Sequence, residues 1–122
     1  MAIKLKWQDP IYRTAVLQGR KSAPNKLETS LQPVLAEFGF RYTGGGDFWV
    51  HRKDGSHNPD FKKTGERKLV EVWGDYWHRG ENPDDLQTWY ATMGYDCLIL
   101  WESEVNAGRA RDRVRKWLNS TS

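Results

Sequence analysis

Two acidic residues, Asp60 and Glu71, fall in the stretch NPDFKKTGERKLVEVWGDYWH, residues 58–78, on segments that read as neighbouring strands. Between them, KKTGER carries Gly65 among charged residues, a composition suited to a hairpin turn. Closing that turn sets the carboxylates side by side at one end of a two-stranded ribbon. Oxygen ligands on rigid strands can hold a divalent cation there. An acid beside a hairpin is ordinarily a solvated surface residue, but the run that follows strengthens the pair. In Trp73-Gly74-Asp75-Tyr76-Trp77-His78, Gly74 lets the backbone bend or approach a ligand. His78 offers an imidazole that can act as general base or phosphate ligand near neutral pH.

Glu28 is a further acid, with two readings. It is either a first-turn residue that completes a helix cap and complements the helix dipole, or an acid facing the metal site. His51 and His57 could each meet a phosphate, although loop histidines are usually solvated.

The elements that must position these residues follow in chain order. Residues 1–24 read as a basic appendage, with Asp9 capping a short helix from about Pro10 to Arg20. Asn25 starts a clearer helix, in which Leu27, Leu31, Val34, Leu35 and Phe38 recur at helical spacing until Gly39. Pro33 inside it is expected to bend or divide it. Phe40–Thr43 and Phe48–His51 read as short strands around a triple-glycine turn, and RKDGSHNP as a polar loop. Asn82-Pro83 opens a helix that stops at Gly94. Tyr95–Trp101 is a nearly continuous apolar run, as a strand buried on both faces requires. A last helix is expected from about Val105 to Leu118, with Arg109, Arg111, Arg113, Arg115 and Lys116 largely outward. The expected fold for residues 25–122 is α/β, a central mixed β-sheet flanked by helices.

Composition narrows the function classes. The chain has 122 residues, 38% of them hydrophobic, with seven Trp, five Tyr and four Phe, so a modest core must be largely aromatic. A net charge of +3 leans toward a polyanionic partner. The lone Cys97 excludes a disulfide within the chain and a cysteine-rich zinc site. Without a signal sequence or an apolar run of membrane length, a soluble intracellular protein with no membrane partner is expected. Acids at strand ends beside a histidine suit metal-dependent phosphodiester hydrolysis. One or two Mg²⁺ ions would polarise the phosphate, activate a water and neutralise the leaving oxygen, with Mn²⁺ able to substitute.

The run NPDF, then LVEVWGDYWH, then a DD-led helix ending MGYDCLILWESEV, resembles the very-short-patch-repair endonucleases and their relatives in the PD-(D/E)XK nuclease superfamily. It is most similar to the EDxHD type of phage homing endonuclease. The resemblance spans about residues 25–105 and implies a restriction-endonuclease-like fold acting on double-stranded DNA. It makes Asp60 and Glu71 metal-binding acids, with the Val72 carbonyl as a further ligand. It also makes Glu28 the helix glutamate and His78 the histidine downstream of the Trp-Gly turn, with Asp75, Asp84 or Asp85 as the last acid. Trp73 stands where the superfamily has lysine, so His78 or Glu28 must supply any proton transfer. The zinc ligands of the mismatch-repair members are missing, which disfavours that role. A mismatch-repair or restriction-like nickase and a non-catalytic nucleic-acid-binding module are the alternatives. Recognition of a long target would need a homodimer or additional parts.

Overall fold

The computed structural model describes residues 24–120, so the expected Pro10–Arg20 helix lies outside the described residues. The order is α1 (Lys26–Ala36), β1 (Phe40–Tyr42), β2 (Val50–Arg52), β3 (Gly55–His57), β4 (Phe61–Lys63) and β5 (Lys68–Trp73). Then come α2 (Asp75–His78), α3 (Pro83–Thr92), β6 (Asp96–Trp101), α4 (Glu102–Asn106) and α5 (Ala110–Ser120). Strands β1, β4, β5 and β6 form a mixed sheet in that order, and β2 and β3 form a separate hairpin. The chain is thus mixed α/β. No helix among the described residues is long and apolar enough to cross a membrane.

Strand alternation divides the core into two layers. On one face, Val70 of β5 and Leu98 and Leu100 of β6 pack with Leu31 and Leu35 of α1 and Val114 of α5. On the other, Leu69 and Trp73 of β5 and Cys97 and Ile99 of β6 meet Tyr90 of α3 and Val50 of β2. Because β5 and β6 run parallel, a crossover through α2 and α3 must join them. Glu71 shares its face of β5 with Leu69 and Trp73, two residues to either side, and so points toward α3.

Asn25 accepts from the Glu28 N–H at 2.8 Å while Glu28 Oε1 accepts from the Asn25 N–H at 3.1 Å, a reciprocal cap for α1. Pro33 neither ends nor divides α1, which runs unbroken from Lys26 to Ala36. Burial of Leu31 and Leu35 on either side of it offsets the lost hydrogen bond. The KKTGER segment does form a hairpin, pairing Phe61 with Val70 and Lys62 with Leu69, and Gly65 supplies a positive φ of 79°. RKDGSHNP, expected as a polar loop with an Asp-Gly turn, is mostly the β2–β3 hairpin turning at Lys53-Asp54, with Arg52 opposite Gly55 and His51 Nδ1 2.7 Å from Ser56 Oγ. The last helix is also two. Gly108, at φ 75°, takes the left-handed conformation between α4 and α5, and the Arg109 N–H turns back to the Glu104 carbonyl.

The segment that carries Asp60 is clamped from the loop after β1. Asn58 Nδ2 donates to the Thr43 and Phe48 carbonyls at 2.8 and 2.7 Å. Thr43 Oγ1 donates to the Pro59 carbonyl at 2.7 Å. The Asp60 carbonyl accepts from the Thr43 and Gly44 N–H groups at 2.7 and 3.1 Å. Asn58→Ala removes two donors and strands two carbonyls, one of them on fully buried Thr43. Urea unfolding should show a loss of about 1–3 kcal/mol. An unchanged midpoint would mean that the clamp contributes nothing.

Candidate functional site

The three elements that build the site are the clamped Pro59–Asp60 segment, the C-terminal half of β5, and the turn after it. Asp60 Oδ2 accepts the Val72 N–H across the strand gap at 2.7 Å. The N–H and C=O of one strand residue point to the same edge, so the Val72 carbonyl also faces the Asp60 side. Glu71 Oε2 accepts from the hydroxyl of fully buried Tyr90 at 2.6 Å. Asp60 and Glu71 line one cleft of about 890 Å³ together with His57, His78, Glu81, Asp85 and the rings of Trp49, Trp73 and Trp89.

Glu28 approaches Asp60 from α1. Its carboxylate completes the cap and accepts from the Tyr42 hydroxyl at 3.2 Å. Its charge acts on Asp60, but Glu28 is not among the residues that line the cleft. Gly44 makes room for this: a Cβ there would fall 2.8 Å from the Tyr42 ring and hydroxyl. The ring in turn rests edge-on against Phe61, with centroids 5.5 Å apart.

Asp75 does not join the group. It sits at the start of α2 facing α4, where its N–H donates to Glu102 Oε1 at 3.2 Å and Ser103 Oγ donates to its carboxylate at 3.4 Å. Of the two acids that open α3, Asp85 lines the cleft, whereas Asp84 lines a separate shallow one beside Cys97. His57 lines the cleft with its ring edge-on to Trp89 at 4.4 Å; His51 is not among the lining residues. Tyr76 is exposed, with the Arg79 guanidinium 4.5 Å over its ring.

The electrostatics are one-sided. Burial, then the Glu71 and Glu28 charges, push the Asp60 carboxyl well above the usual aspartate range, and only the Val72 N–H pulls it down. Burial and Glu71 raise the Tyr90 phenol, which stays a hydrogen-bond donor. Burial, Glu71 and Asp60 likewise raise the Cys97 thiol. Each of these groups is driven toward its neutral form by burial and by its acidic neighbours. Among the described residues no three His, Cys, Asp or Glu side chains are arranged to hold an ion by themselves. The oxygen groups that the cleft could offer a hard cation are the Asp60 and Glu71 carboxylates and the Val72 carbonyl.

No protein-family model, curated protein or solved structure matches the chain. The chemistry of the site rests on its own residues.

Tyr90, Tyr42, Asn58 and Glu81 carry much of this arrangement and do not stand out in the sequence. Tyr90 had one readable signal, a tyrosine on the apolar side of α3, but nothing local pairs it with Glu71 nineteen residues away.

A raised carboxyl pKa favours the folded state only while that group is protonated. The contribution is full below the unfolded value of about 3.9 and disappears as pH rises through the folded value. In EDTA at pH 7, Asp60→Asn should therefore melt several degrees above the wild type, since 1 kcal/mol corresponds to about 4 °C for a domain of this size. The asparagine oxygen can still accept the Val72 N–H. The two melting curves should converge near pH 3. Equal melting at pH 7 would show that Asp60 is not held among like charges.

Proposed function

We propose that the protein is a metal-dependent DNA endonuclease of the PD-(D/E)XK kind, related in design to the EDxHD homing endonucleases. The observation that carries this reading is a half-buried aspartate placed beside two other carboxylates, with the Val72 N–H as the contact that favours its charged form. A protein that merely binds nucleic acid has no use for such a group, because uncompensated acids repel phosphate. A Mg²⁺ ion supplies the missing charge and, when bound, polarises a phosphoryl oxygen and makes a bound water acidic.

The chain's own residues divide the remaining work. Asp60 is fixed at three points, by the Thr43 and Gly44 N–H groups on its carbonyl and the Val72 N–H on its carboxylate. Tyr90 holds one Glu71 oxygen by hydrogen-bonding it and so sets the direction in which the carboxylate meets the cleft. Glu28, held by the α1 cap and Tyr42, adds its negative charge to that of Glu71 beside Asp60. His78 lines the same cleft and can accept a proton from water. The fold supports the reading in the same direction: Asp60 immediately precedes an antiparallel hairpin whose second strand carries Glu71, and a parallel strand follows through a helical crossover.

The DNA-facing charge is not simply the α5 arginines. Arg111 pairs with Glu37, Arg113 with Glu104 and Arg115 with Asp112. Arg41 and Lys62, directly opposite on β1 and β4, are a like-charged pair on the sheet that bears the acids. A duplex bound there would loosen steeply with salt, by a slope of about −0.9 per phosphate contact.

Supercoiled plasmid incubated with Mg²⁺ or Mn²⁺ should be cut, with no product in EDTA or with Asp60→Asn. Mg²⁺ or Mn²⁺ at about 100 times its dissociation constant should also stabilise the wild type by about 2.7 kcal/mol, and Asp60→Asn by much less. Absence of both cleavage and cation-dependent stabilisation would overturn the proposal. Stabilisation and DNA binding without cleavage would instead identify a binding module that keeps the fold.

A further inference from the structure

Position 73, two residues beyond Glu71 on the same face of β5, holds a tryptophan that is 5% exposed. Its indole stacks on the His78 imidazole, with ring centroids 4.2 Å apart and planes within 13°. From the other side of the turn, Glu81 Oε1 lies 3.1 Å from His78 Nδ1. A carboxylate can only accept a hydrogen bond, so Nδ1 carries the proton and Nε2 keeps its lone pair. The stack fixes the ring plane and the carboxylate fixes the tautomer. Trp73 is itself held by Trp101, edge-on at 5.3 Å, so the stack rests on a rigid floor. His78, Glu81 and Trp73 all line the cleft that contains Asp60 and Glu71.

We propose that Trp73 and Glu81 are positioning residues that present His78 Nε2 as the proton acceptor of the reaction, in place of a charged side chain at position 73. The inference rests on the nuclease reading. In the step it assigns, water gives a proton to Nε2 as its oxygen bonds phosphorus. The bond from phosphorus to the leaving oxygen breaks, and that oxygen takes a proton from solvent. The imidazolium then returns its proton to solvent. Glu81 touches neither water nor phosphate in this scheme; it acts through the imidazole. Because Glu81 is substantially exposed, its contribution lies in orientation rather than in folding stability.

The test has two independent readouts. The first is the nitrogen chemical shifts of the His78 ring in the metal-free protein, recorded where the imidazole is neutral. The wild type should show the Nδ1–H tautomer, Glu81→Gln should keep it, and Glu81→Ala should shift it toward Nε2–H. Trp73→Phe should preserve the ring-current shifts of His78 in reduced form, and Trp73→Leu should abolish them. An Nε2–H tautomer in the wild type, or no change in Glu81→Ala, overturns the proposal without reference to catalysis.

The second readout is cleavage kinetics. His78→Ala should slow kcat by about 10² to 10⁴, and Glu81→Ala by about 10 to 100. KM for DNA and the Mn²⁺ affinity should stay within about twofold of the wild type, with Glu81→Gln recovering most of the rate. Trp73→Phe should retain more activity than Trp73→Leu. Wild-type cleavage with an unaffected Glu81→Ala rate would overturn the positioning role while leaving the nuclease reading intact. A wild type that cuts no DNA with either metal would overturn the nuclease reading, and the tautomer measurement would still decide whether Glu81 orients the histidine.

Discussion

The hydrogen bond from the Val72 N–H to Asp60 Oδ2 is the contact on which the rest of the site depends. A strand N–H at that position would ordinarily meet a carbonyl of the neighbouring strand. Here β4 begins only at Phe61, and the Asp60 side chain takes the carbonyl's place. The ladder is thereby traded for a carboxylate at the point where the two strands part. That substitution requires Asp60 to be placed with little freedom, which explains the clamp around it. Thr43, Gly44 and Asn58 hold the main chain on either side of Asp60, so the carboxylate is presented to the cleft from a fixed backbone.

Keeping several acids together inside a small domain is unfavourable, and the surrounding packing offsets it. The sheet is covered on both faces. Leu31, Leu35 and Val114 close one side, and Tyr90 and Val50 the other. Burial of each large apolar side chain contributes about 1.5–3 kcal/mol, so a few of them suffice to hold one destabilised carboxylate. The same packing also aims the polar groups. Tyr90 is fully buried by the apolar layer, yet its hydroxyl ends on Glu71; Tyr42 leans on Phe61, and its hydroxyl ends on Glu28. Each tyrosine ties one acid to one layer of the core.

This division explains how much could be read from the chain. The cap formed by Asn25 and Glu28, the hairpin around Gly65, the helix after Asn82 and the buried β6 strand are local patterns, and all are present. Pro33 does not divide α1, because the cost of a lost helix bond is weighed against tertiary burial of Leu31 and Leu35, which no local rule counts. The join near Gly108 misled because a single glycine can sit within a helix, and only its left-handed φ of 75° marks the break. In the site, Asp60, Glu71 and His78 were legible from residue type and spacing, and the cleft contains all three. Asp75 was a neighbour in sequence only, since the start of α2 turns it toward Ser103. Tyr90 and Asn58 act across the fold, through contacts that become local only after the sheet has closed. Glu81 lies three residues from His78, but their pairing depends on the turn that ends α2.

The tryptophan at position 73 ties these threads together. A lysine there would extend over the same face as Glu71 and offer a permanent positive charge to the acid cluster. It would lower the Asp60 carboxyl toward its ordinary range and make the metal-free protein easier to fold. Tryptophan does the opposite: it adds apolar surface two residues from Glu71 on the same face and contributes no charge. Under the proposed reading, charge balance then falls wholly to the bound cation, and proton transfer to a histidine held against the indole. Under the same reading, the indole that stands where a lysine base is expected is also the surface on which His78 is stacked.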